Sequence, residues 1–226
     1  MAPDTRLTWS VVIPVKLLAR AKSRLSELPA ERRQALALAM AADTVAAAVA
    51  CPQVGAVVVV TDDPAVAAEA GRLGADVVAD RRRAGLNQAL EAGAEHAAAR
   101  WPAHGRVALT ADLPALSAGE LGAALSQAAA VAEAFVADAA GTGTTMYAAR
   151  PGAAFRPRFG PMSRERHRRA GVAELDVPSA SGLRRDVDTL DDLRSAAELG
   201  LGRRSAGWAP LDVHDRAGER SRDPGN

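Results

Sequence analysis

The sequence predicts an α/β fold: a three-layer sandwich with helices on both faces of a mostly parallel sheet. Two short β-branched runs, Ser10 to Val15 and Ala56 to Thr61, are continuously apolar apart from Ser10 and Thr61 at their ends rather than alternating, as in strands covered on both faces. Between them, Pro29 to Ala50 reads as a long Ala/Leu-rich helix, so the first sixty residues form a β-α-β unit. Aromatic residues are only 3% of the chain, which suits small-residue packing of helices on a sheet.

The pattern then repeats. Asp63-Pro64 supplies an N-cap and a first-turn proline for a helix running to Leu73, which Gly74 ends. Asp76 to Ala79 reads as a weak third strand, Leu86 to Arg100 as a helix and Arg106 to Thr110 as a fourth strand. Ser117 with Glu120 forms a capping-box sequence for the next helix, and Ala134 to Ala137 is a fifth strand. Beyond Ala137 the regularity breaks. Gly141 to Tyr147 leads into a Pro-, Arg- and Gly-rich loop from Arg150 to Gly171, a length that points to function or disorder. Leu183 to Val187 reads as a last short strand and Thr189 to Leu199 as a closing helix. Residues 1–8 are expected to be flexible, 9–202 to form one domain, and 203–226 to be a mobile tail.

Composition excludes several classes of function. Lys+Arg total 28 against 27 Asp+Glu, so no global field favours nucleic acid or an anionic membrane. Cys51 is the only cysteine, and His96, His104, His167 and His214 show no metal-ligand spacing. No stretch approaches the roughly 20 apolar residues needed to span a bilayer, and no signal-peptide core opens the chain, which leaves the cytoplasm as the expected compartment.

Lysine usage is unusual: Lys16 and Lys22 are the only lysines, both in one segment directly after the first strand. With Arg20 and Arg24 they place four cations where a polyphosphate meets the carboxyl end of a strand, although a solvated basic loop is the plain alternative. Asp112 follows the fourth strand, a position from which a carboxylate can hold Mg²⁺ against a nucleotide phosphate, or simply shape a turn with Pro114. Asp186 and Asp188 are spaced to share one face of an extended segment, giving a second pair of hard oxygen ligands. Thr189 with Asp192 can meanwhile cap the last helix. In the irregular region, Gly141 to Thr145 and Arg158 to Ser163 offer small residues, with Arg164, Arg166, Arg168 and Arg169 near, for a phosphorylated or carboxylated ligand; a solvated basic flap is the alternative. Nucleophile-elbow, Walker A and Gly-x-Gly-x-x-Gly motifs are missing from their required settings, which weighs against acyl transfer and P-loop hydrolysis.

The order of these segments is more specific than any one of them. I-P-V-K-x-x-x-x-A-K-S-R-L at 13–25 is followed by G-L-N-x-A-L at 85–90 and A-D-L-P at 111–114. G-T-G-T at 141–144, R-F-G-P-x-S at 158–163 and D-V-D-T at 186–189 complete the series. This series resembles the guanylyltransferases of coenzyme F420 biosynthesis, which act on phosphoenolpyruvate or 2-phospho-L-lactate. The resemblance covers about residues 9–202. It implies a nucleotide-diphospho-sugar-transferase-like (MobA-like) fold and transfer of GMP from GTP to the phosphorylated acid, with pyrophosphate released and Mg²⁺ as cofactor. It implies Thr144, Gly160 and Ser163 as the acceptor site, Asp112, Asp186 and Asp188 as metal ligands, and Lys16, Lys22, Arg24 and Asn87 as nucleotide contacts. Lys16, Lys22 and Asp112 are then the catalytic groups, and a downstream transferase of the same pathway is an expected partner.

The acceptor's phosphate is already anionic, so no Ser, Cys or His nucleophile is required. The Ala-rich, Arg-over-Lys composition suggests a high-GC actinobacterial source, and the resemblance to the family's actinobacterial form then implies phosphoenolpyruvate as the acceptor. Other acceptors, such as a sugar phosphate or molybdopterin, are the competing enzymatic reading, although Ile13 to Lys16 replaces the glycine-rich loop usual in those enzymes. An inactive nucleotide-binding module would have lost Asp112 or the Asp186/Asp188 pair, and all three are present.

Overall fold

The computed structural model describes residues 7–19, 22, 25, 27–80 and 85–208, with Arg20 as backbone only. Its strands are β1 (Trp9–Pro14), β2 (Val54–Val60), β3 (Asp76–Val78), β4 (Gly105–Leu109), β5 (Glu133–Ala137), β6 (Thr144–Ala149) and β7 (Ala173–Glu174). The helices are α1 (Ala30–Val49), α2 (Pro64–Arg72), α3 (Leu86–Arg100), α4 (Ala118–Ala128), α5 (Ser163–Arg169) and α6 (Leu190–Leu199). One sheet orders the strands β3-β2-β1-β4-β6-β5-β7. Only β6 runs against its neighbours, pairing antiparallel with both β4 and β5.

Alternation across the sheet explains why the strands are continuously apolar. Val11, Ile13, Val57, Val59, Val107 and Leu109 face α1, α2 and α4. Val12, Val58, Val60 and Ala108 face the opposite way, onto Ala89, Leu90, Ala94 and Ala97 of α3. Both faces are therefore dry, as the runs of valine require. The predicted caps form: Asp63 accepts from Ala65 and Val66 N–H, and Ser117/Glu120 and Thr189/Asp192 close capping boxes. Chain order reverses between β1 and β4, since β1 leads outward to β2 and β3 before the chain returns to β4. Such a reversal opens a crevice beyond the carboxyl ends of the two strands.

Four expectations need correction. Thr144–Ala149 is a strand rather than the start of a loop; all six residues are buried between β4 and β5, so no polar alternation marks it. Within the supposed irregular loop, Ser163–Arg169 is a helix whose only buried residues are Ser163 and His167, too few for an apolar period. Residues 183–187 do not form a strand. Their neighbourhood is a turn at Gly182–Arg184, where Glu120 accepts from Ser181 Oγ (2.7 Å) and Gly182 N–H (2.8 Å), and isolated backbone bonds run from Val187 N–H to Asp112 O (3.0 Å) and from Ala139 N–H to Arg184 O (2.7 Å). The tail is docked at its start: Asp43 in α1 accepts from the backbone N–H of Arg204 (3.1 Å) and Ser205 (2.7 Å), and Arg204 pairs with Glu69. The rest of the tail, residues 1–6 and Arg81 to Arg83 lie outside the described residues. Among the described residues no helix is long and apolar enough to cross a membrane.

Candidate active site

The site is built where β1 and β4 end. After Pro14 the chain stays anchored, because Val15 N–H donates to Val60 O (2.9 Å) and Leu18 N–H to Asp63 Oδ2 (3.0 Å). Lys16 is thereby held, exposed, at the junction of two cavities of about 330 and 340 Å³ that share Pro14, Val15, Lys16 and Leu86. The first cavity reaches Lys22, Thr110, Asp112 and Asp188; the second reaches Asp62, Asp80 and Gly85. The turn carrying Asp112 is fixed from α1 by buried Thr44, whose Oγ1 accepts from Leu113 N–H (3.1 Å) and faces Ala111 O.

Lys22 crosses the first cavity to two carboxylates. Its Nζ donates to Asp112 Oδ2 (2.5 Å) and Asp188 Oδ1 (2.9 Å). To reach them its backbone adopts φ 54°, in the left-handed region that non-glycine residues avoid. Burial works to lower the ammonium's pKa, but Asp112 and Asp188 outweigh it and hold it above the usual lysine value. Asp186 lies beside this pair. Burial, with the charges of Asp112, Asp138 and Asp188 adding to it, pushes its carboxyl up to about 7.

This donor set suits a hard divalent cation. Asp112 Oδ1 is buried and accepts no hydrogen bond from a described residue, so one oxygen is left for a ligand. Among the described residues no three His, Cys, Asp or Glu side chains converge closely enough to form a complete cage. Asp112 and Asp188 converge on Lys22 instead, with Asp186 adjacent.

The G-T-G-T segment lies at the same end of the sheet, because antiparallel β6 begins where β4 ends, with Thr110 N–H donating to Thr145 O (2.9 Å). Asp138, at the end of β5, accepts from Thr142 and Gly143 N–H (both 2.9 Å) and shapes the G-T-G-T turn. A Cβ on Gly143 would stand 2.4 Å from Asp138 Oδ2, so this close approach requires glycine. Gly160 has φ 116°, again a glycine conformation, and its carbonyl accepts from Ser163 N–H (3.1 Å). Thr144 and Ser163 are both buried, and both lie next to His167 in α5.

Of the residues singled out in the sequence, Lys16, Lys22, Asp112 and Asp188 thus line one cavity, and Asp186 is their electrostatic neighbour. Thr144, Gly160 and Ser163 form a second group that lines neither cavity. Arg24 lies outside the described residues. Asn87 is occupied with the backbone: its Nδ2 donates to Phe159 O (3.1 Å) and its Oδ1 accepts from Phe159 N–H (2.8 Å), so it clamps the R-F-G-P loop while Gly85 and Leu86 line the cavities. Arg164 and Arg166 also hold loops, through Gly141 O (3.0 Å) and Arg158 O (2.8 Å) respectively. Sequence reasoning passed over Thr44 and Asp138. A buried helix threonine and an aspartate that serves only the backbone of its own turn carry no sequence motif, although the two glycines of G-T-G-T hint at a carboxylate close to the turn.

Residues 9–196 match the protein family described as guanylyl transferase CofC like. A protein of Thermomonospora curvata named phosphoenolpyruvate guanylyltransferase is 58% identical over 206 residues, covering 91% of this chain and 90% of that one. A protein of the same name from Streptomyces scabiei is 53% identical over 208 residues, covering 90% and 96%. Among solved structures, a nucleotidyl transferase from Methanothermobacter has a TM-score of 0.59 at 18% identity, covering 85% of this chain and 97% of that one. At such identity the likeness concerns the fold alone, and it bears out the nucleotidyltransferase-like architecture.

Proposed function

The chain belongs to the family of CofC-like guanylyltransferases, and from that premise we propose that it transfers GMP from GTP to phosphoenolpyruvate and releases pyrophosphate. The observation that supports this at the level of the site is the convergence of Lys22 on Asp112 and Asp188 in a cleft at the carboxyl end of a parallel sheet. Thr144, Gly160 and Ser163 at the same end are the residues we assign to the acceptor.

A phosphate oxygen of phosphoenolpyruvate attacks the α-phosphorus of GTP. The bond from that phosphorus to the oxygen bridging the β-phosphate breaks, and pyrophosphate leaves with the electron pair. The nucleophile is already an anion, so the site has only to align it and offset charge. Lys16 and Lys22, with Arg24 from the same segment, are assigned to the nucleotide, and Asn87, its amide bonded to the Phe159 backbone, supports the site through that loop; the two lysines meet the charge that builds on the leaving group. Asp112 and Asp188, with Asp186 beside them, would hold a divalent cation, which we read as Mg²⁺, an ion that takes one or two carboxylates and completes its shell with water and phosphates. When bound it supplies charge neutralisation at the reacting phosphates. The product is a mixed diphosphate whose anhydride a downstream transferase would consume. Residues 9–202 are read as the catalytic unit of a cytoplasmic enzyme, with 203–208 closing its back against α1.

The test supplies the purified protein and Mg²⁺ with GTP, ATP or CTP and with phosphoenolpyruvate or 2-phospho-L-lactate, and follows pyrophosphate. GTP with phosphoenolpyruvate is expected to react fastest. Faster reaction with 2-phospho-L-lactate would overturn the assigned acceptor, and no release with either acid would overturn the proposal.

A further inference from the structure

His167 joins the segments assigned to the acceptor, and its hydrogen bonds define its tautomer. The ring is fully buried and lies nearly parallel to Phe135 (centroids 5.2 Å apart, 22°) and Tyr147 (5.4 Å, 21°), with Phe159 edge-on at 6.0 Å. Arg158 N–H donates to Nε2 (3.0 Å), so that nitrogen presents its lone pair. In a neutral ring the proton is then on Nδ1, which stands 3.1 Å from Thr144 Oγ1 and also faces the Ser163 carbonyl. The ring therefore donates and Thr144 Oγ1 accepts. A threonine hydroxyl has one proton and two lone pairs; with a lone pair taken by the ring, its proton is directed elsewhere.

We infer that His167 is a positioning residue for the acid substrate: its Nδ1–H holds the Thr144 hydroxyl as a hydrogen-bond donor, while its Nε2 pins the Arg158–Ser163 loop beside it. Carboxylates and phosphates only accept hydrogen bonds, so a hydroxyl that accepts from the ring and turns its proton away from it matches them, whereas a freely rotating one would spend that proton in other directions. The same ring fixes the spacing between Thr144 and the turn carrying Gly160 and Ser163. Burial pushes the imidazole's pKa down to about 4, which keeps it in this neutral form near pH 7. The inference rests on the reading that Thr144 contacts the acceptor.

The test measures KM for phosphoenolpyruvate and for GTP in His167→Gln, His167→Asn, Thr144→Val and the His167→Gln/Thr144→Val double variant, with thermal melts to confirm folding. Glutamine leaves an acceptor near the Nε2 position and no donor near Nδ1; asparagine leaves a donor near Nδ1. His167→Gln and Thr144→Val should each raise KM for phosphoenolpyruvate about tenfold or more, the effect of losing a hydrogen bond to a charged group, with KM for GTP little changed. His167→Asn should stay within a few-fold of the parent, and the double variant should be no worse than Thr144→Val alone. If Thr144→Val raises KM but His167→Gln does not, or if their effects multiply, the inference about His167 is overturned. If Thr144→Val leaves KM unchanged, the assignment of Thr144 to the acceptor fails, and the inference with it.

Discussion

Replacing Lys22 by methionine removes the ammonium that faces Asp112 and Asp188 and keeps an unbranched side chain of similar length, so the change isolates the charge. The side chains of Lys22, Asp112 and Asp188 are 10%, 24% and 45% exposed. Removing one partner of a buried pair costs about 3–5 kcal/mol because the other charge is stranded. Here Asp188 is nearly half exposed and water screens its share, which places the loss at the lower end, about 3 kcal/mol. For a domain of this size each kcal/mol is worth roughly 2–4 °C, so the melting temperature should fall by about 6–12 °C. The variant takes the ammonium away from Asp112 and Asp188, so millimolar MgCl₂ should raise its melting temperature by more than it raises the parent's. The assay is thermal denaturation of both proteins with and without MgCl₂ at pH 7.5. A variant that melts within about 2 °C of the parent, or an equal Mg²⁺ response in the two proteins, would refute the placement of Lys22 as counterion to these carboxylates.

Acid should weaken the fold through His167. Burial, with Arg158 and Arg166 adding to it, lowers its folded pKa to about 4, and Tyr147, whose hydroxyl bonds Glu133, packs against the ring as an uncharged neighbour. The unfolded chain therefore takes up the proton first, near pH 6.5, so this stability is complete above pH 6.5 and lost as pH falls toward 4, by about 3 kcal/mol in all. Urea midpoints at pH 7 and 4.5 should fall further for the parent than for His167→Asn; equal falls would contradict the assignment. Gly143→Ala drives a Cβ onto Asp138 Oδ2 and should release the G-T-G-T turn, raising KM for phosphoenolpyruvate several-fold; unchanged KM would show that the turn does not shape the acceptor site. Asp43→Ala strands the backbone N–H groups of Arg204 and Ser205 and should cost about 2 kcal/mol in urea unfolding and expose the chain after Gly202 to protease. Parental stability would mean that the segment is not docked.

What the sequence revealed of the fold follows the range of the forces involved. Asp63-Pro64, Ser117/Glu120 and Thr189/Asp192 are local capping pairs whose partners lie within three residues, and they could be read directly. β6 and α5 could not, because β6 is dry on both faces and α5 turns only Ser163 and His167 inward. Restriction of lysine to one segment marked it as special, and the sequence treated Lys22 and the aspartates as separate phosphate and metal sites. Their pairing joins residues 90 and 166 positions apart, which no spacing rule connects. Asn87 stood in a recognisable motif, yet its amide bonds the Phe159 backbone 72 residues on. Thr44 and Asp138 act through hydrogen bonds to backbone, which leave no pattern in the chain.

The most direct measurement follows the fate of the nucleotide in one reaction mixture: protein, GTP, phosphoenolpyruvate and Mg²⁺, with pyrophosphate quantified and the nucleotide product weighed by mass spectrometry. The parent should release one pyrophosphate for each GTP consumed and yield a product with the mass of phosphoenolpyruvate joined to GMP with loss of water. Asp112→Asn, nearly the same shape and still folded, should lose about a hundredfold or more of that rate. A parent that forms no such product, or an Asp112→Asn protein that forms it at the parental rate, would contradict the account.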